Sequence, residues 1–139
     1  MFSFKKSEAF KIEIADEQKQ FIAPKKKINK AILLEYVIAF DIFKEDVLIG
    51  FVMLRKYAEG EYFLWDYAID YHHQNKGYGT KALVELLTFL KAKFHIHTIT
   101  TTYIYGNEHA KYIYEKVGFI ETDIVNEDGV HEVNMILHL

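Results

Sequence analysis

A mixed-sheet α+β domain is the fold class this sequence predicts, on three observations. Three strand-like runs follow one another between Val37 and Asp70 with only short turns between them, the pattern of an antiparallel meander. The amphipathic segment that follows joins the last run to a further strand, and a strand–helix–strand connection of this kind makes its two strands parallel. The chain closes on two runs separated by Asn126 to Gly129, a hairpin.

In chain order, a short helix is expected around Ser7 to Ile14, a turn near Asp16-Glu17, and a helix from about Lys27 to Tyr36. Val37–Phe43 reads as a strand, Lys44-Glu45-Asp46 as a turn, and Val47–Tyr57 as the next strand. Gly60 supplies the turn into a third strand, Tyr62–Asp70. Tyr78, Ala82, Leu83, Leu86, Leu87, Leu90 and Phe94 recur at helical spacing, so Gly77 to Phe94 is a helix with one buried face, and Lys91 and Lys93 suit its C-terminal end. His97 to Tyr105, rich in Thr, Ile and Tyr, is a strand. A short helix from Asn107 to Val117 carries Ala110, Ile113, Tyr114 and Val117 on one face and stops at Gly118.

The chain has 139 residues, half of them hydrophobic, which fits one domain over 1–139 with a substantial core. Eleven Phe, ten Tyr and one Trp suit a sheet-rich interior. Cysteine is absent, so the protein offers neither disulfides nor thiolate chemistry, and any thiol must arrive with a ligand. No apolar run is long enough to span a bilayer and Met1–Lys6 has no signal-peptide core, so no membrane role and a cytoplasmic location are expected. A net charge of −3, with basic residues clustered only at Lys25-Lys26-Lys27 and Lys30, argues against nucleic acid. His95 and His97 would share a strand face, but no Cys or nearby carboxylate completes a set around them, so no metal is expected.

The turn Gln74-Asn75-Lys76-Gly77-Tyr78-Gly79 leads from strand to long helix. Helix N-termini carry unpaired N–H groups and a partial positive charge, and glycines there let an anion approach. Lys76 and Lys81 flank it, and no acid occurs from Tyr71 through Val84. Phosphate is the ligand these features suit; solvated surface lysines are the alternative. Gly77-Tyr78-Gly79-Thr80-Lys81-Ala82 also satisfies a loose dinucleotide fingerprint, but no acid lies between Glu85 and Glu108 to hold a ribose, and the preceding strands are antiparallel. A Walker loop is excluded because no Gly-Lys-Ser/Thr follows.

This order of elements, with Gln74, Gly77 and Gly79 in the turn and the segment Asn107 to Phe119 after the parallel strand, resembles the GCN5-related N-acetyltransferases (GNAT). The likeness is strongest from Val47 to Phe119, and within the family it is greatest to bacterial spermine/spermidine acetyltransferases, in Ile49–Leu54, Ile69-Asp70, Asn107, His109-Ala110 and Tyr114, with a weaker echo in Glu17-Gln18 and Phe21. The resemblance implies the GNAT fold and an N-acetyltransferase drawing on acetyl-CoA, with a small cationic amine, spermidine or spermine foremost, as acceptor. Other amines (protein N-termini, amino acids, aminoglycosides) and a non-catalytic CoA-binding module are the alternatives.

It further implies that the pyrophosphate lies on Gln74, Asn75, Lys76, Gly77, Tyr78, Gly79 and Thr80. Ala68 and Ile69 would offer backbone groups where the strand splays from its neighbour, and Asn107 and Ala110 would meet the pantetheine arm. Asn107 also has the simpler role of helix N-cap. Tyr114 matches the tyrosine that protonates the departing thiolate; a phenol is protonated at neutral pH. The ammonium of the acceptor must lose a proton first. Asp66, beside Trp65 where some relatives carry an acid, is the candidate base or amine anchor, against a structural ion pair or deprotonation by solvent. Measured against the family's opening strand and two helices, this chain is short at its start, which leaves open whether its first strand is present or absent. A homodimer is compatible with the resemblance.

Overall fold

The structure, a computed structural model, describes residues 1–139. Seven strands form one sheet: β1 (Phe2–Lys6), β2 (Val37–Lys44), β3 (Val47–Ala58), β4 (Glu61–Ile69), β5 (Thr98–Ile104), β6 (Ile120–Glu127) and β7 (Val130–His138). Their spatial order is β1-β2-β3-β4-β5-β7-β6, and only β4 and β5 run parallel. The helices are α1 (Lys25–Ile32), α2 (Tyr78–Phe94) and α3 (Glu108–Val117), with 3-10 turns at Asp16–Phe21 and Tyr71–His73. The expected meander, parallel crossover and closing hairpin are all present.

The two-residue turns carry their own signature. Glu45 and Asp46 between β2 and β3, and Asp128 and Gly129 between β6 and β7, all have positive φ, the conformation whose twist matches paired strands.

α2 covers one face of the sheet. Ala82, Leu83, Leu86, Leu87 and Leu90 are its buried stripe, packed with Ile42, Val52, Leu54, Leu64 and Ile99 from the strands and Ile113 from α3. Each such leucine contributes about 1.5–3 kcal/mol by leaving water. The opposite face is covered by α1 and the segment before it, where Phe10, Ile12, Ile28 and Ala31 meet Val37, Ala39, Phe51 and Met53.

The opening third answers one open point and departs from expectation at two. Phe2–Lys6 is the first strand, antiparallel to β2, with Phe2 and Phe4 directed at α2. No helix forms at Ser7–Ile14: Phe10 and Ile12 are buried and alternate with exposed Lys11 and Glu13, an extended period of two. Finally, α1 begins at Lys25, where the Pro24 carbonyl accepts from Lys27 N and Ile28 N, and ends at Ile32 rather than Tyr36. Proline suits a helix start because it has no N–H to satisfy.

Two irregularities in β4 position the site. Met53 pairs with Asp66 and Leu54 with Leu64, so Trp65 is the extra residue of a β-bulge. Leu64 faces α2, whereas beyond the bulge it is Tyr67 and Ile69 that do so, and Ala68 packs in the core of the α1 face. Asp66, two residues from Ala68, shares that side. Second, β4 pairs with β5 only from Glu61↔Thr98 to Leu64↔Thr101, although the strands continue to Ile69 and Ile104. Beyond that point the parallel neighbours part.

Candidate active site

The parting of β4 from β5 opens a cleft of about 450 Å3. The Thr101 hydroxyl donates to the Leu64 carbonyl at 3.0 Å, a clasp at the last paired residues. One wall is β4 from Phe63 to Ile69, the other is β5 with Glu132 of β7; α3 lines it with Ala110, Ile113 and Tyr114, and the 3-10 turn with Gln18 and Phe21.

β4 backbone groups alternate in direction. Asp70 N donates to Ile49 O on β3, and the Ala68 carbonyl also points at β3, close to Gly50. Ile69, between them, turns its backbone to the cleft, where its carbonyl accepts from Gln74 Nε2 at 3.1 Å. Of the two expected backbone contributors, only Ile69 therefore presents its peptide groups there; Ala68 contributes its methyl.

Tyr114 is 7% exposed and lines the cleft from α3. Its hydroxyl is pushed up to about 12, chiefly by burial; the neighbouring Thr101 hydroxyl opposes the rise and Asp66 adds to it. The phenol is thus a proton donor across the physiological range. Asp66 is 9% exposed, and its Oδ2 is buried without any hydrogen-bond partner. Burial alone raises its carboxyl from the ordinary 3.8 to about 7. The ion pair offered as its alternative role is absent. Asp66 and Tyr114, which stand far apart in the sequence, are brought to one cleft.

At the other end, Gly77 is the N-cap of α2, with a φ of 77° and no side chain to cap the helix; the first turn contains no acid. A Cβ at Gly77 would meet only the Lys81 side chain, at 3.9 Å, so the approach to the free N–H groups is open. Asn75, at φ 62°, is the other left-handed residue of the turn. This turn therefore fits an anion.

Gly79 has a different reason to lack a side chain. A Cβ there would lie 2.7 Å from Ile113 Cδ1, and its carbonyl accepts from the Tyr67 hydroxyl at 2.7 Å. It is a packing glycine between α2 and α3. Tyr78 turns away from the cleft, edge-on to Phe2, with Lys44 and Lys76 over its ring. Asn107 caps α3, accepting from Ala110 N at 3.3 Å, while still lining the cleft. Thr80 borders a shallower hollow with Phe2, Lys44 and Glu85 and is not among the cleft residues.

Phe21, Ile22, Trp65, Ile104 and Glu132 also line the cleft. Apart from Phe21, which belongs to the weaker echo in the sequence, only tertiary packing reveals them, since they come from separate elements with no motif. His97 lies against Gly60, where a Cβ would be 2.4 Å from its ring.

The profile of the Acetyltransferase (GNAT) family matches residues 6–119, and the chain belongs to that family of acyltransferases that use acetyl-CoA. Comparison with curated proteins finds no match. Among solved structures, the chain is similar to a Bacillus subtilis acetyltransferase in complex with CoA (22% identity, TM-score 0.74, 100% of this chain and 99% of the other). It is similar as well to an Elizabethkingia anophelis GNAT acetyltransferase with acetyl-CoA bound (18%, 0.74, 99% and 98%). A third is the Vibrio cholerae spermidine N-acetyltransferase in complex with CoA and spermine (22%, 0.67, 81% and 72%). These likenesses show that the fold is shared.

Proposed function

We propose that the protein transfers the acetyl group of acetyl-CoA to a primary amine of a small cationic acceptor, with spermidine or spermine the favoured candidates. One observation carries this reading: a proton donor, Tyr114, and a buried carboxyl without a partner, Asp66, share the cleft left by the splayed strands. The open N-terminus of α2 lies at the donor end.

Acetyl-CoA supplies the activated thioester; the chain's residues do the rest. The α2 N-terminus at Gly77, with Lys76 and Lys81 beside it, holds the diphosphate. The cleft-facing N–H of Ile69 is placed to polarise the thioester carbonyl. Asp66, ionising near neutrality, accepts a proton from the acceptor ammonium, whose own pKa is near 10.4. Tyr114 donates its proton to the departing thiolate.

Cleft composition supports a cationic acceptor. Asp66 and Glu132 line it, and no Lys or Arg does. The polyamine choice draws on the sequence resemblance and on the spermine held by the Vibrio cholerae relative. A second reading, an amine on an apolar body, is favoured by 14 hydrophobic residues among the 21 that line the cleft.

Release of free thiol from acetyl-CoA, measured across polyamines, amino acids, aminoglycosides, aralkylamines and peptides, tests this. Turnover with a polyamine is expected, and Tyr114→Phe should lower kcat ~10²-fold or more, the range for a lost general acid. CoA binding without turnover on any amine would sink the proposal.

A further inference from the structure

The strap from Phe10 to Ala23 lines the cleft through Ile14, Gln18, Phe21, Ile22 and Ala23, and its attachment is uneven. Its first half is tied to the fold by Phe10 N to Asn29 Oδ1 (2.8 Å), Lys11 Nζ to Asp41 Oδ2 (2.8 Å), Glu13 N to Asp70 Oδ2 (2.8 Å) and Tyr71 N to Glu13 O (2.8 Å), with Ile12 and Ala15 buried. Its second half, Asp16–Phe21, contains no buried residue. Two of its side-chain contacts, Lys19 with Asp16 and Gln20 with the Glu17 carbonyl, stay within the turn. The one side-chain hydrogen bond that leaves it is at Gln18, whose Oε1 accepts from Gln74 Nε2 at 2.9 Å, while Ile22, just beyond the turn, packs against the core of the α1 face.

Gln74 is the first residue of the glycine turn, and both of its amide protons are engaged: one by Gln18, the other by Ile69 O. A single amide thus joins the proposed donor turn, the cleft edge of β4 and the turn that places Phe21 and Ile22 against the cleft. The bond is half-buried and charge-free, so salt does little to it.

We propose that Gln18 is a positioning residue for the amine: through Gln74 it fastens the Phe21–Ile22 wall to the donor turn, so that occupancy of that turn by CoA steadies the acceptor side. The proposal rests on the reading of Gln74–Gly79 as the CoA turn and of the cleft as an amine-acetylation site. Linkage requires reciprocity, so an acceptor bound in the cleft also tightens CoA.

Two variants separate this link from general damage. Gln18→Leu keeps the size and removes the acceptor atom; Gln18→Glu keeps an acceptor oxygen for Gln74. Hydrogen exchange over residues 15–23 is measured with and without CoA. CoA should slow exchange there in the wild type and in Gln18→Glu, but not in Gln18→Leu, while the CoA Kd by calorimetry changes less than twofold. In steady state with spermidine, Gln18→Leu should raise the amine KM about 3- to 10-fold, the worth of one neutral hydrogen bond, with kcat near wild type, and Gln18→Glu should restore it.

Equal CoA protection in the wild type and Gln18→Leu, or a Gln18→Glu variant that behaves like Gln18→Leu, overturns the link. If the wild type acetylates no amine yet shows the CoA protection, the functional reading fails and the link stands. If spermidine is turned over and the protection is absent, the link fails alone.

Discussion

Asp66 owes its character to one extra residue. Without the bulge at Trp65, strict alternation would set Asp66 on the α2 face with Leu64; with it, the carboxyl reaches the cleft and is left with a buried, unpartnered Oδ2. The folded protein then binds a proton between the ordinary value of 3.8 and about 7 that the unfolded chain releases, so stability falls as pH rises through that interval. Full ionisation costs up to ~4 kcal/mol at 1.36 kcal/mol per pKa unit. Asp66→Asn cannot ionise, so its thermal stability relative to the wild type should increase from about pH 4 to about pH 8, as followed by Tm in the two buffers. In its proposed role as base, the same group would set the activity profile. Wild-type kcat/KM should climb through about pH 7, and Asp66→Asn should lose both that inflexion and most of its rate. An unchanged inflexion in the variant would remove Asp66 as the base.

Two glycines at the head of α2 look equivalent in sequence but do different work. Gly77 takes a left-handed φ in open space, so a β-branched residue is strained there by about 1–2 kcal/mol and also obstructs the anion. Gly77→Val should weaken CoA binding, read by calorimetry; an unchanged Kd would refute the cradle. Gly79 is enclosed by Ile113, and Gly79→Ala should lower stability by about 1–3 kcal/mol through overpacking at the α2–α3 contact. Shortening the opposing side chain in Gly79→Ala/Ile113→Val should recover part of that loss, measured by urea unfolding. A recovery in stability that leaves CoA affinity at wild-type level would separate the packing glycine from the anion glycine.

Across the whole molecule, one sheet is packed on both faces, and the cleft passes between its parallel strands rather than between separate bodies. Phe10 and Phe51, packed edge to face with centroids 4.9 Å apart, bind the strap to the sheet on the α1 face. Phe4, Phe40 and Phe94 gather around Phe89 on the other face. We expect one cooperative unfolding transition in urea, with coincident fluorescence and circular-dichroism midpoints, and a midpoint that rises with CoA as RT ln(1 + [L]/Kd). Two separated transitions would divide the chain into more than one folding unit.

The meander, the α2 periodicity, the crossover and the Gln74–Gly79 turn were legible in the sequence, because each is a local pattern: alternation, a 3.6-residue repeat, or glycines at a strand-to-helix junction. Tyr114 was legible through its surroundings in α3. The alternation of Phe2 with Phe4, and of Phe10 with Ile12, was equally local but short, and its strand and strap became recognisable only beside β2 and α1. Where Asp66 points, which of the two glycines stands in open space, and how residues of separate elements come together to wall the cleft were decided by the tertiary structure alone. Those outcomes depend on strand register and on contacts between distant segments, which a single bulge or one shared amide can redirect.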